Sequence, residues 1–182
     1  MSASKLPEPK LSESRLPEPW LRGTLSEVPA VPRAVLHALE MAREDVERWC
    51  GGLSDEELNA RPAGIAPVAF HVRHIARSLD RLWTYAEGNP LTTEQLAALK
   101  TELDADATSS ELFAELALAM EKSAARIRAF NVADLERARG IGKKQLPTSL
   151  GGLLVHVADH TQRHVGQAIT TAKIVLAGRK QT

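Results

Sequence analysis

Residues 149–176 read SLGGLLVHVADHTQRHVGQAITTAKIVL. Leu150, Leu153, Val157, Thr161, Ala168 and Ala172 recur at spacings of three, four and seven. That is the period of a helix with one buried stripe. Ser149 suits the N-cap, and Gly178 follows the last periodic residue. The same stretch carries three of the chain's six histidines, His156, His160 and His164. Four residues of α-helix turn the side-chain direction by about 40°. His160 and His164 therefore stack a turn apart at one edge of the buried stripe, where two imidazoles can share one metal ion. His156 points about 80° from His164 and lies outside the stripe, near solvent. No Glu follows the first His, so the pair is not the HExxH protease motif.

Working outward, three more long helical patterns precede this one. Val35, Leu36, Leu39, Val46 and Trp49 mark a helix from Pro32 to Cys50, with Pro32 at a first helical position and Gly51-Gly52 as its stop. Ser54 with Glu57 reads as a capping box for a short helix before Arg61-Pro62. A second long helix runs from about Pro67 to Glu87 and ends at Gly88-Asn89-Pro90, and Thr92 to Leu103 forms a short helix in the connection. A third long helix, Ser109 to Phe130, shows Leu112, Leu116, Met120, Ala124 and Ile127 in its stripe. Residues 131–147 are polar, carry Gly140 and Gly142, and read as a loop with some turn of helix. Four long helices, no convincing alternating strand and a long crossover between the second and third indicate an all-α four-helix bundle. Such a link lets neighbouring helices run parallel.

Residues 1–30 read as an extended Pro-rich N-terminal arm, residues 31–178 as the bundle and residues 179–182 as a tail. LPEP occurs at residues 6–9 and again at 16–19, and its prolines and charges oppose a helix. Trp20 and Leu21 are placed to pin the end of the arm to the body.

The 182 residues suffice for one domain with a core. Basic and acidic residues balance at 23 each, so no net field favours a nucleic acid or a membrane surface. The apolar stretches are too interrupted to span a bilayer, the first residues lack the apolar core of a secretory signal, and Cys50 stands alone. These features fit a soluble, cytoplasmic protein. There is no GxSxG elbow, phosphate loop or GxGxxG. Cys50 reads as a quiet helix-end residue, and Gly151-Gly152 as a site of close packing.

A third imidazole is available in the second long helix, whose segment His71 to His74 reads HVRH. Periodicity leaves His71 and His74 both open, with His71 nearer the centre of the stripe set by Ile75, Leu79 and Leu82. Arg77, Arg81 and Gln167 lie roughly on the site side of their helices and are candidates to orient a carboxylate or a bound water. Asp159 points about 100° from His160, and Asp80 reads as one half of a surface pair.

HTQRHVGQ (residues 160–167) resembles the last-helix signature of the DinB/YfiT-like superfamily, an HxxxH pair followed closely by a Gly-Gln step. APVAFHVRHIARSLDRL (residues 66–82) resembles its second-helix segment, where a His directly precedes a small apolar pair, here Ile75-Ala76. In helix order the resemblance covers about Val31 to Leu176. It implies an up-up-down-down four-helix bundle, a three-histidine site for a divalent ion such as zinc or nickel, and a homodimer. Carried over, the ligands are His74, His160 and His164, with His71 beside the site. Some relatives, among them bacillithiol transferases and a mycothiol-dependent maleylpyruvate isomerase, use the metal to activate the thiol of a low-molecular-weight cofactor. The resemblance thus implies a metal-dependent transferase acting with a small thiol on an electrophile. A non-catalytic, metal-stabilised stress-related dimer and a metal-dependent hydrolase are the alternatives.

Overall fold

The computed structural model describes residues 16–104 and 107–179. The first LPEP repeat and the last three residues fall outside that span. The chain is mostly helical. Its helices are α1 (Ala30–Cys50), α2 (Asp55–Asn59), α3 (Val68–Ala86), α4 (Thr93–Lys100), α5 (Ser109–Ala129) and α6 (Leu150–Gly178), and one small hairpin pairs β1 (Ala138–Ile141) with β2 (Leu146–Ser149).

The ends of these helices follow from side-chain chemistry. The four N-terminal N–H groups of a helix lack partners within it. Capping boxes supply them at three starts: Ser54 with Glu57 for α2, Thr92 with Gln95 for α4 and Thr108 with Glu111 for α5. Ser149 accepts from the Gly152 N–H at the start of α6. The four long helices pack side by side in the order α1, α6, α3, α5, with α5 returning to α1. Trp83, Ile75, Leu79, Leu112, Ile127, Leu150 and Leu154 are fully buried between them. Burying such a side chain contributes about 1.5–3 kcal/mol. The Trp83 Nε1–H donates to Ser123 Oγ at 2.7 Å, so its one polar group is satisfied.

Contacts between helices fix their directions. Gln162 donates to the Ala38 carbonyl and Lys173 lies over the Trp49 ring, so α1 and α6 run parallel. Arg77 meets Glu115 and Trp83 meets Ser123, so α3 and α5 are parallel. His71 meets His164 and His74 meets His160, so α3 and α6 are antiparallel. The long helices therefore run up, down, down, up, which corrects the up-up-down-down order. The links give the reason. Residues 51–67 are taken up by α2 and a turn, and the chain turns back at once. The crossover of residues 87–108 is long enough to carry the chain the length of a helix, about 28 Å for 19 residues, and it delivers α5 parallel to α3.

Residues 131–147 also differ from the expected loop, because the β1–β2 hairpin lies there. Its turn is made by Gly142 (φ 67°) and by Gln145 (φ 49°), and the Leu150 N–H donates to the Arg137 carbonyl as the chain enters α6. Gly151 packs against Leu135, where an added Cβ would lie 3.2 Å from the carbonyl oxygen.

The arm is held differently from the expectation. Trp20 and Leu21 are more than half exposed. Pro19 is the buried member of a short turn at residues 19–21, and Arg22 forms the anchor. Its guanidinium pairs with Glu44 at 2.6 Å and Glu40 at 3.1 Å on α1. A forked cation finds two carboxylates on the charged face of α1, a stronger tie than a half-exposed indole makes. No helix among the described residues is long and apolar enough to cross a membrane.

Candidate metal centre

The antiparallel pairing of α3 with α6 brings two histidine-bearing segments together. As the chain descends α3 through His71 and His74, it meets α6 at His164 and His160. One ring nitrogen from each of His74, His160 and His164 lies within 4.8 Å of the others. The His74 Nε2 and His160 Nε2 atoms are 3.3 Å apart. Two nitrogens bound at about 2.0–2.1 Å to one tetrahedral ion lie about 3.3 Å apart, so the donors already stand at a ligand separation. All three residues are partly buried.

The Nδ1 atoms of the three histidines also have neighbours. His74 Nδ1 lies 2.6 Å from Glu102 Oε2, and Glu102 Oε1 accepts from Arg81 at 2.6 Å. Ser78 Oγ lies 3.5 Å from His160 Nδ1. His71 Nδ1 lies 3.1 Å from His164 Nδ1. Phe70 stacks on the His74 ring with centroids 5.3 Å apart and presents its edge to His71 and His164.

Burial favours the neutral form of His71, His160 and His164. It pushes His160 down to about 4, with help from the neighbouring His74, His156, Arg163 and Arg81. It pushes His164 down to about 3, again reinforced by His74, His160, His71 and Arg163. His71 falls to about 4 through burial and the nearby His74. Neutral imidazole is the form that binds metal. Burial alone would raise the Glu102 carboxyl, but hydrogen bonds from His74 and Arg81 outweigh it and hold the group below the usual carboxylate range. The donor set and its spacing, with His160 and His164 held in the metal-binding form, therefore fit a divalent ion.

The other sequence candidates separate cleanly. His71 is buried against His164, beside the cluster. Arg81 is buried, and its hydrogen bond goes to Glu102, behind His74. Arg77 points elsewhere: it binds Glu115, the Ala98 carbonyl and Thr101 Oγ1 between α3, α4 and α5. Gln167 is exposed on α6 and makes no hydrogen bond to the histidines. His156 is exposed, and its ring lies beside that of His160 but outside the donor group. Asp80 meets Gln95 and Arg126, and Asp159 pairs with Arg163. Cys50 is fully buried, which pushes its thiol up to about 12, far from a nucleophile's range. Glu102 is the residue that sequence reading did not find. It lies in the crossover, 28 residues from the histidine it touches, and no local spacing connects them.

The family model of the DinB superfamily matches residues 38–168, which take in all three histidines and most of the long helices. The chain belongs to the DinB superfamily. A search of curated proteins gave no match. The DinB match covers the HxxxH pair of α6 and the HVRH segment of α3 together, the two elements that the fold places face to face.

Proposed function

We propose that this DinB-superfamily protein holds one divalent ion, zinc or nickel, through His74, His160 and His164, and acts as a metal-dependent transferase for a low-molecular-weight thiol. The observation that carries the reading is the convergence of three imidazole nitrogens, two of them at 3.3 Å, on a point between α3 and α6. Three protein ligands on a tetrahedral ion leave one position for an exchangeable group. The ion's Lewis acidity would bring the pKa of a small thiol toward neutrality.

The chain's own residues do the rest. Phe70 covers one face of His74 with an apolar ring and shields it from water. His71 stays neutral against His164 and limits the ways that ring can turn. Glu102 takes the Nδ1 side of His74. The partial exposure of the three histidines leaves a small molecule a route to the site. Family membership also supports a homodimer, which the proposal includes.

Elemental analysis tests the metal reading. Protein loaded with zinc or nickel should carry about one ion per chain, as a three-histidine site dictates. His160→Ala should abolish binding and His156→Ala should leave it intact; no ion on the wild-type chain, or equal loss in both variants, overturns the assignment. A screen of small thiols against electrophilic acceptors tests the activity. Turnover should require the loaded ion, and no turnover with any thiol at millimolar concentration overturns the transferase reading. Hydrolysis of ester or amide substrates in the same screen would favour a hydrolase. Sedimentation velocity tests the dimer, and a single monomeric species overturns it.

A further inference from the structure

We propose that Glu102 is a positioning residue for this metal centre, presented to His74 by a crossover that a row of arginines holds against α3. The inference rests on the three-histidine reading above and adds to it a residue from outside the two histidine helices.

Glu102 follows α4 by two residues and is 4% exposed. A carboxylate is seldom buried so far without partners, and here both oxygens are used. One lies 2.6 Å from His74 Nδ1 and the other accepts from Arg81 at 2.6 Å. An ionised carboxylate only accepts, so His74 must donate through Nδ1–H. That choice leaves Nε2, the atom 3.3 Å from His160 Nε2, to face the centre. The opposite tautomer would set the Nδ1 lone pair against the carboxylate. Glu102 thus selects both the ring nitrogen and the ring orientation, the role that outer carboxylates serve at histidine metal sites generally.

The crossover is held firmly enough to do this. Arg73, Arg77 and Arg81 follow one another at intervals of four along α3, and so face the same side a turn apart. Arg73 donates to the carbonyls of Thr101 at 3.2 Å and Asp104 at 2.7 Å. Arg77 donates to the Ala98 carbonyl and Thr101 Oγ1, each at 2.8 Å. Arg81 takes the Glu102 carboxylate itself. Arg61 adds a bond to the Leu103 carbonyl at 3.0 Å. These guanidinium groups bind the backbone on both sides of Glu102, and Arg81 holds the carboxylate beside His74. Occupation of the centre and order in residues 98–104 are then linked: an ion that is bound more tightly with Glu102 in place must in turn stabilise the segment that delivers it.

The test uses the full chain and zinc alone, in competition with a chromophoric chelator. Glu102→Ala should weaken zinc about 10–100-fold, the usual cost of losing such a partner. Glu102→Gln keeps an acceptor oxygen for Nδ1–H and should regain part of that loss. Zinc should slow amide exchange in residues 98–104 of the wild type and not of Glu102→Ala. Long-range proton–nitrogen NMR on the zinc-free chain should show His74 as the Nδ1–H form in the wild type and a mixture in Glu102→Ala, which a merely structural role would not produce. Should Glu102→Ala strand Arg81 and fail to fold, Arg81→Met/Glu102→Met removes the buried cation as well and carries the same comparison. Zinc affinity within twofold of wild type, or an unchanged His74 tautomer, overturns the assignment of Glu102 and leaves the three-histidine centre standing. A wild-type chain that binds no zinc overturns the centre itself and this role with it.

Discussion

At the scale of single residues, the cluster's protonation makes its own prediction. His71, His160 and His164 carry folded-state values of about 4, 4 and 3, each below the ordinary value of 6.5. A depressed imidazole takes up its proton later in the folded chain than in the unfolded one. The stability these three groups contribute to the metal-free protein is therefore fully present above about pH 6.5, and is lost as pH falls from there through about 4 and 3. Urea midpoints at pH 7.5, 6 and 5 should fall in that order, and His164→Gln should flatten the decline. A midpoint independent of pH over this window would show that the imidazoles do not stay neutral. Of this residue-level detail, the sequence made the His160/His164 pair legible through spacing. The choice of His74 over His71 came from the family pattern. In the structure both touch His164, but His74 also brings Nε2 to 3.3 Å from His160 Nε2, a meeting across helices that periodicity does not encode.

At the scale of elements, helix ends were the most legible feature, because a cap is a contact within four residues. Ser54 with Glu57 is found in the structure as read. Thr108 with Glu111 starts α5 in the same way, with the Glu111 carboxylate accepting from the Thr108 N–H at 2.9 Å. Thr108→Ala should cost about 1 kcal/mol, seen as a fall of roughly 2–4 °C in Tm for a chain of this size. A change under half a degree would mean that tertiary packing alone sets the start of α5. The hairpin was not legible. Its strands, ARGI and LPTS, are four residues each, half-exposed, and contain a proline and a glycine, so neither alternation nor β-propensity marks them. What holds them is their pairing and the seat of β1 against α3, where the Arg139 Nε–H donates to the Ala86 carbonyl, 53 residues away, a contact that no local pattern shows.

At the scale of the whole molecule, the centre joins α3 to α6 and, through Glu102, to the crossover. An ion bound only by the folded chain must stabilise it. Excess zinc at about a hundred times Kd should add about 2.7 kcal/mol, raising Tm, and a chelator should reverse the shift. His160→Ala should show no shift with zinc. An equal rise in that variant would mean that the ion acts elsewhere on the surface. Helix direction belongs to this scale as well. The long crossover was visible in the sequence, and so was its licence for parallel neighbours. The pairs 77–115 and 83–123 were needed to show that α3 and α5 run parallel, and the pairs 38–162, 49–173, 71–164 and 74–160 to show that α1 opposes α3.

By itself the sequence determined the helical class, the helix ends, the buried stripe of α6 and the placing of two histidines a turn apart, since each depends on residues within a few positions of one another. Only the tertiary structure decided the order of directions, the hairpin, the anchoring of the arm by Arg22 and the place of Glu102 behind His74. Those depend on which distant segments meet. A buried carboxylate in a crossover looks like any other surface glutamate until the fold brings a histidine and an arginine to its two oxygens.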